Sequence, residues 1–225
     1  MENLAGLALV ALSLAAPPGT SLPIAGPDAA QQAERTAPRD LEVPFACGAK
    51  VVISQAHGTF SHLGTDRWAW DFRVPEGTPV LAAHDGVVRM VRSDSVRGGC
   101  DRAYGPDANY VILSRGDGFE TQYLHFSKVF VGEGQRVRAG ELLGEVGRTG
   151  FSCGSHLHFQ LQREGRAWAG QSVVARFRDI GDPEAEQAVV SGNCPMPEPA
   201  TLQAEAAPPA EGGPPRDVQR GGAGK

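Results

Sequence analysis

The stretch from residue 149 to 162, TGFSCGSHLHFQLQ, decides the fold because two histidines in it alternate with apolar residues. The apolar partners in this alternation are Leu157, Phe159 and Leu161. Residues two apart in a β-strand project from the same face. The apolar side chains are therefore predicted to enter a core, while His156 and His158, about 6–7 Å apart, point together into a cleft. Such a pair suits one metal ligand and one acid/base group, although a half-exposed strand with two histidines gives the same pattern.

The length and charge of the chain limit what it can be. It has 225 residues, which suits one domain with tails, and a net charge of -5. This acidic balance lacks the basic surface that binding of nucleic acid requires, so we expect no nucleic-acid partner.

The N-terminus resembles an export signal. Residues 4–16, LAGLALVALSLAA, form an apolar run that is too short to span a membrane, although no basic residue precedes it. A buried core helix is the alternative interpretation. We expect residues 1–26 to be a signal peptide or export segment and 27–44 a linker. The mature protein is then periplasmic or extracellular and has no stable membrane insertion.

Four cysteines agree with an oxidising compartment, and none forms a C-x-x-C pair. Cys47 and Cys194 lie at the two ends of the patterned region, whereas Cys100 and Cys153 lie in glycine-rich loops. We favour the pairs 47–194 and 100–153, although four cysteines allow three pairings and free buried thiols are the alternative.

Short strands separated by glycines fill the middle of the chain, which predicts an all-β fold. The clearest hairpin is residues 109–126, NYVILSRGDGFETQYLHF, with turn residues at 115–118. We place a domain at 45–180 and a C-terminal extension at 181–225. The extension is rich in Pro, Ala and Gly after about residue 195 and is expected to be disordered there. The predicted strands are Val51–Ser54, Ala69–Val74, Val80–Ala83, Gly86–Arg92, Asn109–Ser114, Glu120–Phe126, Leu142–Gly147 and His156–Gln162.

Two upstream residues are candidates for the same cleft. In Ala69–Val74, the alternation buries Trp70 and Phe72 and turns Asp71 to the opposite face, where a solvated aspartate is the alternative. His125 ends a hairpin strand and can reach the two histidines, although an isolated histidine at a strand end is more often simply exposed.

Three segments together resemble the lysostaphin/LytM-type zinc metallo-endopeptidase family, which cleaves peptidoglycan. They are DFRVPEGTPVLAAHDGVV (71–88), ANYVILSRGDGFETQYLHFS (108–127) and GQRVRAGELLGEVGRTGFSCGSHLHFQLQREG (134–165). The resemblance covers residues 58–165, about half of the chain. It implies antiparallel sheets in a β-sandwich or split barrel related to the lipoyl/biotinyl hybrid fold.

The resemblance also implies a zinc site. Asp71 and His158 would be ligands, His156 would act as general base or polarise the attacking water, and His125 would stabilise the developing oxyanion. Zinc with three protein ligands keeps a position open for water, which is a catalytic arrangement. The implied partner is a peptidoglycan peptide, and we expect a monomer.

The first zinc ligand departs from the pattern of the family. The usual spacing His-x-x-x-Asp places Arg67 before Asp71, and arginine cannot ligate zinc. His62 keeps the His-x-Gly lead-in of the family, as if five residues were inserted after it, so we predict His62 as this first ligand. Asp66 in place of Asp71, His57 in place of His62, or no third ligand are the alternatives.

The leading hypothesis is therefore an exported zinc endopeptidase that hydrolyses peptide bonds of peptidoglycan stems or cross-links. The alternative is a catalytically degenerate relative that binds cell wall or regulates another hydrolase. His84 lies where the family keeps no ligand, and we expect it to be structural or exposed.

Overall fold

A computed structural model describes residues 41–165 and 169–194. Within these ranges, no helix is long and apolar enough to cross a membrane. The predicted export segment, most of the predicted linker and the tail after residue 194 lie outside the described residues.

The described chain is built from short strands and two 3-10 turns, Gly64–Asp66 and Arg102–Asp107. All eight predicted strands are present, with ends within two residues of the prediction. The five further strands are short, and the longest has four residues, too few for a periodic pattern to reveal them. In chain order the strands are β1 Lys50–Gln55, β2 Trp70–Arg73, β3 Pro79–Leu81, β4 Gly86–Arg92, β5 Gly98–Gly99, β6 Tyr110–Ser114, β7 Phe119–Leu124, β8 Phe126–Val129, β9 Arg136–Val137, β10 Leu142–Val146, β11 Gly150–Phe151, β12 His156–Arg163 and β13 Ala188–Val190.

Eight strands form one antiparallel sheet in the order β13-β1-β2-β12-β7-β6-β4-β9. Strand β12 lies between β2 and β7, so the strand with the two histidines is a central one. A second, three-stranded sheet has the order β3-β10-β8. The predicted all-β fold of antiparallel sheets is confirmed.

One face of the large sheet packs into an aromatic core. The alternation predicted for β12 and β2 is observed, because Leu157, Phe159, Trp70 and Phe72 are all fully buried. The ring centroids of Tyr123 and Phe159 lie 5.1 Å apart, edge to face. Burying each such side chain stabilises the fold by about 1.5–3 kcal/mol, so this face holds the register of the sheet.

A small parallel pairing forms one wall beside the sheet. Strand β5 pairs with β11, and the disulfide Cys100–Cys153 joins the residues that follow them. Glycine is required at position 98, because a Cβ there would lie 1.9 Å from the carbonyl oxygen of Arg148. The two loops that carry these strands therefore approach each other closely.

The folded unit is longer at both ends than the predicted domain of 45–180. Leu41 and Val43, which fall in the predicted linker, are fully buried. Strand β13, which falls in the predicted C-terminal extension, pairs with β1. The disulfide Cys47–Cys194 joins the two ends of this unit. Both predicted disulfides are thus present.

Candidate metal centre

The register of β2 against β12 creates the site. Asp71 lies directly opposite His158 in this antiparallel pair, and directly opposite residues share one face of a sheet. The opposite face holds Phe72 and Leu157 in the core, so the carboxylate and the imidazole are directed to the other side. His158 Nδ1 lies 2.9 Å from Asp71 Oδ1.

A closed loop brings His62 to the same carboxylate. The Gly58 backbone N–H donates to the carbonyl of Arg67, which closes the loop between β1 and β2. His62 is fully buried, and its Nε2 lies 3.0 Å from Asp71 Oδ1. Arg67 is exposed and its guanidinium lies over the ring of Trp68, away from the carboxylate. The insertion therefore returns the histidine, and not the arginine, to the site.

The three side chains offer a geometry that suits a cation. His62 Nδ1 must carry a proton because it donates to the carbonyl of Ala56 at 3.0 Å, so in the neutral ring Nε2 carries a lone pair. This lone pair faces a carboxylate oxygen, and the two repel unless a proton or a cation lies between them. Within residues 41–165 and 169–194, one group of potential metal ligands was found: His62, Asp71 and His158, whose ligand atoms lie within 4.8 Å of one another. Atoms bound to a tetrahedral metal at about 2.0–2.1 Å lie about 3.3 Å apart, close to the separations observed.

The electrostatics agree with an anionic ligand between two histidines. Burial by itself would raise the pKa of Asp71, but the hydrogen bonds with His158 and His62 outweigh burial and hold the pKa well below its ordinary value. Burial lowers the pKa of His158, while Asp71, and to a smaller extent Gln160, raise it by more, so the net direction is upward. The carboxylate therefore stays ionised at neutral pH.

His125 is held in an unusual backbone conformation beside this group. Its φ of 73° lies in the left-handed region, which a histidine adopts at a cost in free energy. Two backbone bonds fix it: the His125 N–H donates to the carbonyl of Asn109, and the Gly147 N–H donates to the carbonyl of His125. The His125 Nδ1–H donates to the carbonyl of Thr149 at 2.6 Å. The ring consequently turns its Nε2 away from Thr149.

The His125 ring is neutral and not an imidazolium at pH 7. Burial, together with the charges of His156 and His158, lowers the pKa of His125 to about 3. The ring is neutral at pH 7, so its Nε2 accepts a hydrogen bond and can donate one only after it has gained a proton.

His156 completes the cluster. Its Nδ1–H donates to the carbonyl of Gly154 at 2.8 Å, which leaves the lone pair on Nε2. This Nε2 lies 3.6 Å from Asp71 Oδ2, and the ring centroids of His125 and His156 lie 4.6 Å apart. Two further imidazole rings thus lie beside the potential metal ligands.

A cavity of about 360 Å³ opens over the cluster. Asp71, His125, His156 and His158 line it, and the Cys100–Cys153 disulfide forms part of its wall through Cys153. Further lining residues come from the inserted loop, including Phe60, whose side chain is 69% exposed.

The remaining candidates lie outside the group of ligands. His57 Nε2 lies 2.9 Å from Asp182 Oδ1, away from Asp71. Asp66 lines the cavity but does not belong to the three-residue group. His84 was expected to be either structural or exposed. It is buried, and its Nε2 lies 2.8 Å from Thr121 Oγ1.

Sequence reasoning missed the residues that hold the histidines in place. Asn109 donates through Nδ2 to the carbonyls of Ser95 and Phe126, and its N–H donates to Thr149 Oγ1. An asparagine at the start of an apolar strand is a weak signal, because such residues are common in turns. Gln160 continues the face of His156 and His158 at the strand period of two, but an amide side chain by itself does not indicate a catalytic or metal-binding role.

A carboxylate between two imidazoles, with two further imidazoles in the same cavity, is an arrangement typical of metal-dependent hydrolases. Residues 65–169 match the sequence model of Peptidase family M23. The chain therefore contains a domain of this metallopeptidase family, and the resemblance drawn from its sequence is confirmed.

Individual known proteins resemble this chain. The chain is 41% identical over 105 residues to the peptidoglycan DD-endopeptidase ShyA of Vibrio cholerae, which covers 47% of this chain and 21% of that protein. It also resembles two solved structures. The catalytic domain of the prophage-encoded M23 protein EnpA from Enterococcus faecalis is 30% identical, with a TM-score of 0.45 and coverage of 58% of this chain and 94% of that one. Lysostaphin from Staphylococcus simulans is 29% identical, with a TM-score of 0.42 and coverage of 54% and 47%. The chain spans about a fifth of the length of the curated relatives that it matches.

Proposed function

We propose that this protein is an exported zinc endopeptidase that hydrolyses peptide bonds in the stems or cross-links of peptidoglycan. The observation that carries the proposal is the convergence of His62 Nε2, Asp71 Oδ1 and His158 Nδ1 on one point in the cavity. Two imidazoles and one carboxylate form a donor set that zinc accepts in catalytic sites, where a fourth position stays open. The relationship to a peptidoglycan DD-endopeptidase supports the choice of substrate.

In this proposal, His62, Asp71 and His158 hold the zinc ion. When bound, zinc polarises the scissile carbonyl and lowers the pKa of a water molecule, which makes the water a nucleophile near neutral pH. Asp71 contributes the negative charge that favours a divalent cation, and its lowered pKa keeps that charge present.

His156 is the proposed general base. Its Nδ1–H is occupied by the carbonyl of Gly154, so the neutral ring presents Nε2 as a proton acceptor. A base whose other nitrogen is fixed by a carbonyl cannot change tautomer without losing that bond. The strand therefore orients the base as well as positioning it.

His125 is the proposed partner for the oxyanion, with one refinement. Because its ring is neutral at rest and its Nδ1–H is bound to Thr149, it can donate to an oxyanion only when Nε2 carries a proton. We infer that this proton is taken up during turnover, from the attacking water or through His156, whose ring lies 4.6 Å away between centroids. The imidazolium that results can donate to the tetrahedral intermediate.

The test combines metal analysis with muropeptide profiling. Purified protein is loaded with zinc, quantified by mass spectrometry, and incubated with purified sacculi whose released fragments are separated and identified. We expect one zinc per chain and new peptide ends in the wild type, and neither in His158→Ala. His57→Gln is the matched control, because His57 contacts Asp182 and not Asp71. Release of the same fragments by His158→Ala would contradict the proposal.

Export is proposed on separate grounds. Two disulfides indicate an oxidising compartment, and residues 4–16 have the length of a signal-peptide core. Fractionation of cells that express the full chain, with N-terminal sequencing of the product, is the measurement. We expect a shortened chain outside the cytoplasm, and a full-length reduced protein in the cytoplasm would contradict this.

We also propose that the protein acts as a monomer. All three proposed ligands, and the two imidazoles of His125 and His156, come from one chain, so the site needs no residue from a second copy. Sedimentation of the zinc-loaded protein at micromolar concentration checks this, and a stable dimer would contradict it.

A further inference from the structure

The polar face of β12 continues inward from His158 as a row of buried amides. Gln160 and Gln162 follow His158 at the strand period of two, and both are fully buried. Burying two uncharged amides beside a core is costly unless both are hydrogen-bonded. The row therefore calls for an explanation beyond packing.

The hydrogen bonds of this row connect end to end. Gln160 Nε2 donates to Gln162 Oε1 at 2.8 Å, and Gln162 Nε2 donates to Glu120 Oε1 at 2.7 Å. Arg89 donates to both carboxylate oxygens of Glu120, which is buried. The row thus ends on a carboxylate whose charge is balanced by an arginine.

The direction of each amide is fixed. The backbone N–H of Gly170 donates to Gln162 Oε1 at 3.0 Å, so the oxygen and nitrogen of Gln162 cannot exchange places without losing bonds at both ends. This orientation requires Gln160 to present its NH₂ group to Gln162. Its carbonyl oxygen is then left for the other side, where His158 lies.

His158 and Gln160 present complementary groups that no other described residue satisfies. Within the described part of the chain, His158 Nε2 and Gln160 Oε1 are both buried and lack a hydrogen-bond partner of good geometry. When His158 Nδ1 binds a cation, the proton of the neutral ring must be on Nε2, which makes Nε2 a donor. Gln160 Oε1 is an acceptor on the same face of the same strand, two residues after His158.

We propose that Gln160 is a positioning residue that accepts the Nε2–H of His158, and that Gln162 and Glu120 extend this bond into a relay that ends at a carboxylate. All donors in the relay point from the imidazole toward Glu120, so the aligned hydrogen bonds favour the Nε2–H tautomer and increase the electron density at Nδ1. A ligand histidine usually has a carboxylate, carbonyl or water in this position. Here the amides of Gln160 and Gln162 connect the imidazole to the carboxylate of Glu120 through hydrogen bonds.

This inference rests on the proposed zinc-binding function and predicts an effect on metal affinity, independent of activity. Partners of this kind alter metal affinity by about 10-fold to 100-fold when they are removed. We expect Gln160→Leu to weaken zinc binding within this range, whereas Gln160→Glu, which keeps the acceptor for His158 but loses the donor to Gln162, should retain more of the zinc affinity than Gln160→Leu. Gln162→Leu leaves the first bond in place and is expected to cause a smaller loss than Gln160→Leu.

The experiment is a competition titration of zinc against a chromophoric chelator, with thermal unfolding of each variant measured in parallel. Gln135→Leu is the matched control, because it makes the same substitution at an exposed glutamine whose side chain bonds only the Gly132 N–H among the bonds described. A structural role alone would lower the unfolding temperature of Gln160→Leu without the rescue by glutamate. Equal zinc affinity in Gln160→Leu and wild type would overturn the inference.

A spectroscopic measurement on the wild type tests the same inference without a variant, whose folding could be impaired. Long-range ¹H–¹⁵N spectra of the zinc-loaded protein report the tautomer of each histidine and the exchange rate of its proton. We expect a slowly exchanging, low-field Nε2–H on His158, and a freely exchanging proton would overturn the inference. If the wild type binds no zinc, the proposed function fails with it. If the wild type binds zinc and cleaves sacculi while Gln160→Leu binds equally well, only the relay is wrong.

Discussion

The site is assembled from two regions that reach it in different ways. Asp71 and His158 lie on neighbouring central strands, where the ladder between β2 and β12 sets their separation. His62 lies in a loop that leaves β1, closes through a hydrogen bond between Gly58 and Arg67, and returns to the sheet. The strand region positions its proposed ligands by register, whereas the loop region positions its proposed ligand by specific bonds to Ala56 and Asp71.

The difference shows how such a site can tolerate a change in spacing. A one-residue shift within a strand would turn a ligand to the opposite face. An insertion in a loop costs little free energy, because the entropy of loop closure rises slowly with length. The five-residue difference between His62 and the usual position is therefore confined to the region that can absorb it.

The strand region is expected to give the largest effect. Asp71 contacts both His62 and His158, so Asp71→Asn removes the charge that holds both imidazoles. We expect tight zinc binding to be lost and kcat/KM on peptidoglycan fragments to fall by at least about 10³-fold, which corresponds to about 4 kcal/mol. Kinetics together with zinc analysis check this. An active Asp71→Asn with bound zinc would mean that Asp66 is the ligand.

The loop region is tested by His62→Gln. We expect zinc affinity to fall by about 10²-fold to 10³-fold, less than for Asp71→Asn, because the two strand ligands remain in register. Chelator competition measures the affinity. Arg67→Ala and His57→Gln serve as controls and should bind zinc as the wild type does. A loss of zinc in His57→Gln and not in His62→Gln would reverse the assignment.

His84, which lies between β3 and β4, tests whether a buried histidine can be purely structural. Burial lowers its pKa to about 4, from about 6.5 in the unfolded chain. Between pH 6.5 and 4 the unfolded chain binds a proton at His84 that the folded chain does not. The free energy of unfolding is therefore unaffected by this group above pH 6.5 and decreases as the pH falls below it. The total loss from this group is about 3 kcal/mol.

The measurement is denaturant unfolding of the metal-free protein at several pH values. His84→Gln keeps a polar contact to Thr121 but does not titrate, so its stability should fall less steeply between pH 6.5 and 4 than that of the wild type. His125 has the same sign of shift and contributes equally to both proteins, so the difference isolates His84. Identical slopes would contradict the lowered pKa of His84.

The smallest effect is expected at the tip of the loop. Phe60 lines the cavity, is 69% exposed and has a φ of 42°. An exposed aromatic side chain beside a cleft is a contact site for a peptide, so we expect Phe60→Ala to raise KM by up to about tenfold, or about 1.4 kcal/mol. Zinc affinity should not change. Val96→Ala, at a residue 95% exposed outside this cavity, is the control, and an unchanged KM in Phe60→Ala would remove the loop from substrate binding.

Much of the strand region could be predicted from sequence. The alternation through Leu157, Phe159 and Leu161 fixed the face of His158, and the alternation around Trp70 and Phe72 fixed the face of Asp71. Four of the five strands that escaped prediction have only two or three residues, over which a period of two is hard to recognise. Strand β13 escaped for another reason as well: it pairs with β1, where Val190 lies opposite Lys50, and a local pattern does not reveal so distant a partner.

The sequence by itself determined which residue types were available and which way the strand residues face, because the steric period of the backbone is local. Only the tertiary structure decided that Asp71 stands opposite His158, that the inserted loop returns His62 and not Arg67, and that Gln160 and Gln162 form a row ending at Glu120. These depend on register, loop closure and hydrogen-bond direction, which are set by contacts between residues distant in sequence. The pair His156–His158 is a local feature, whereas the site around it is a property of the folded chain.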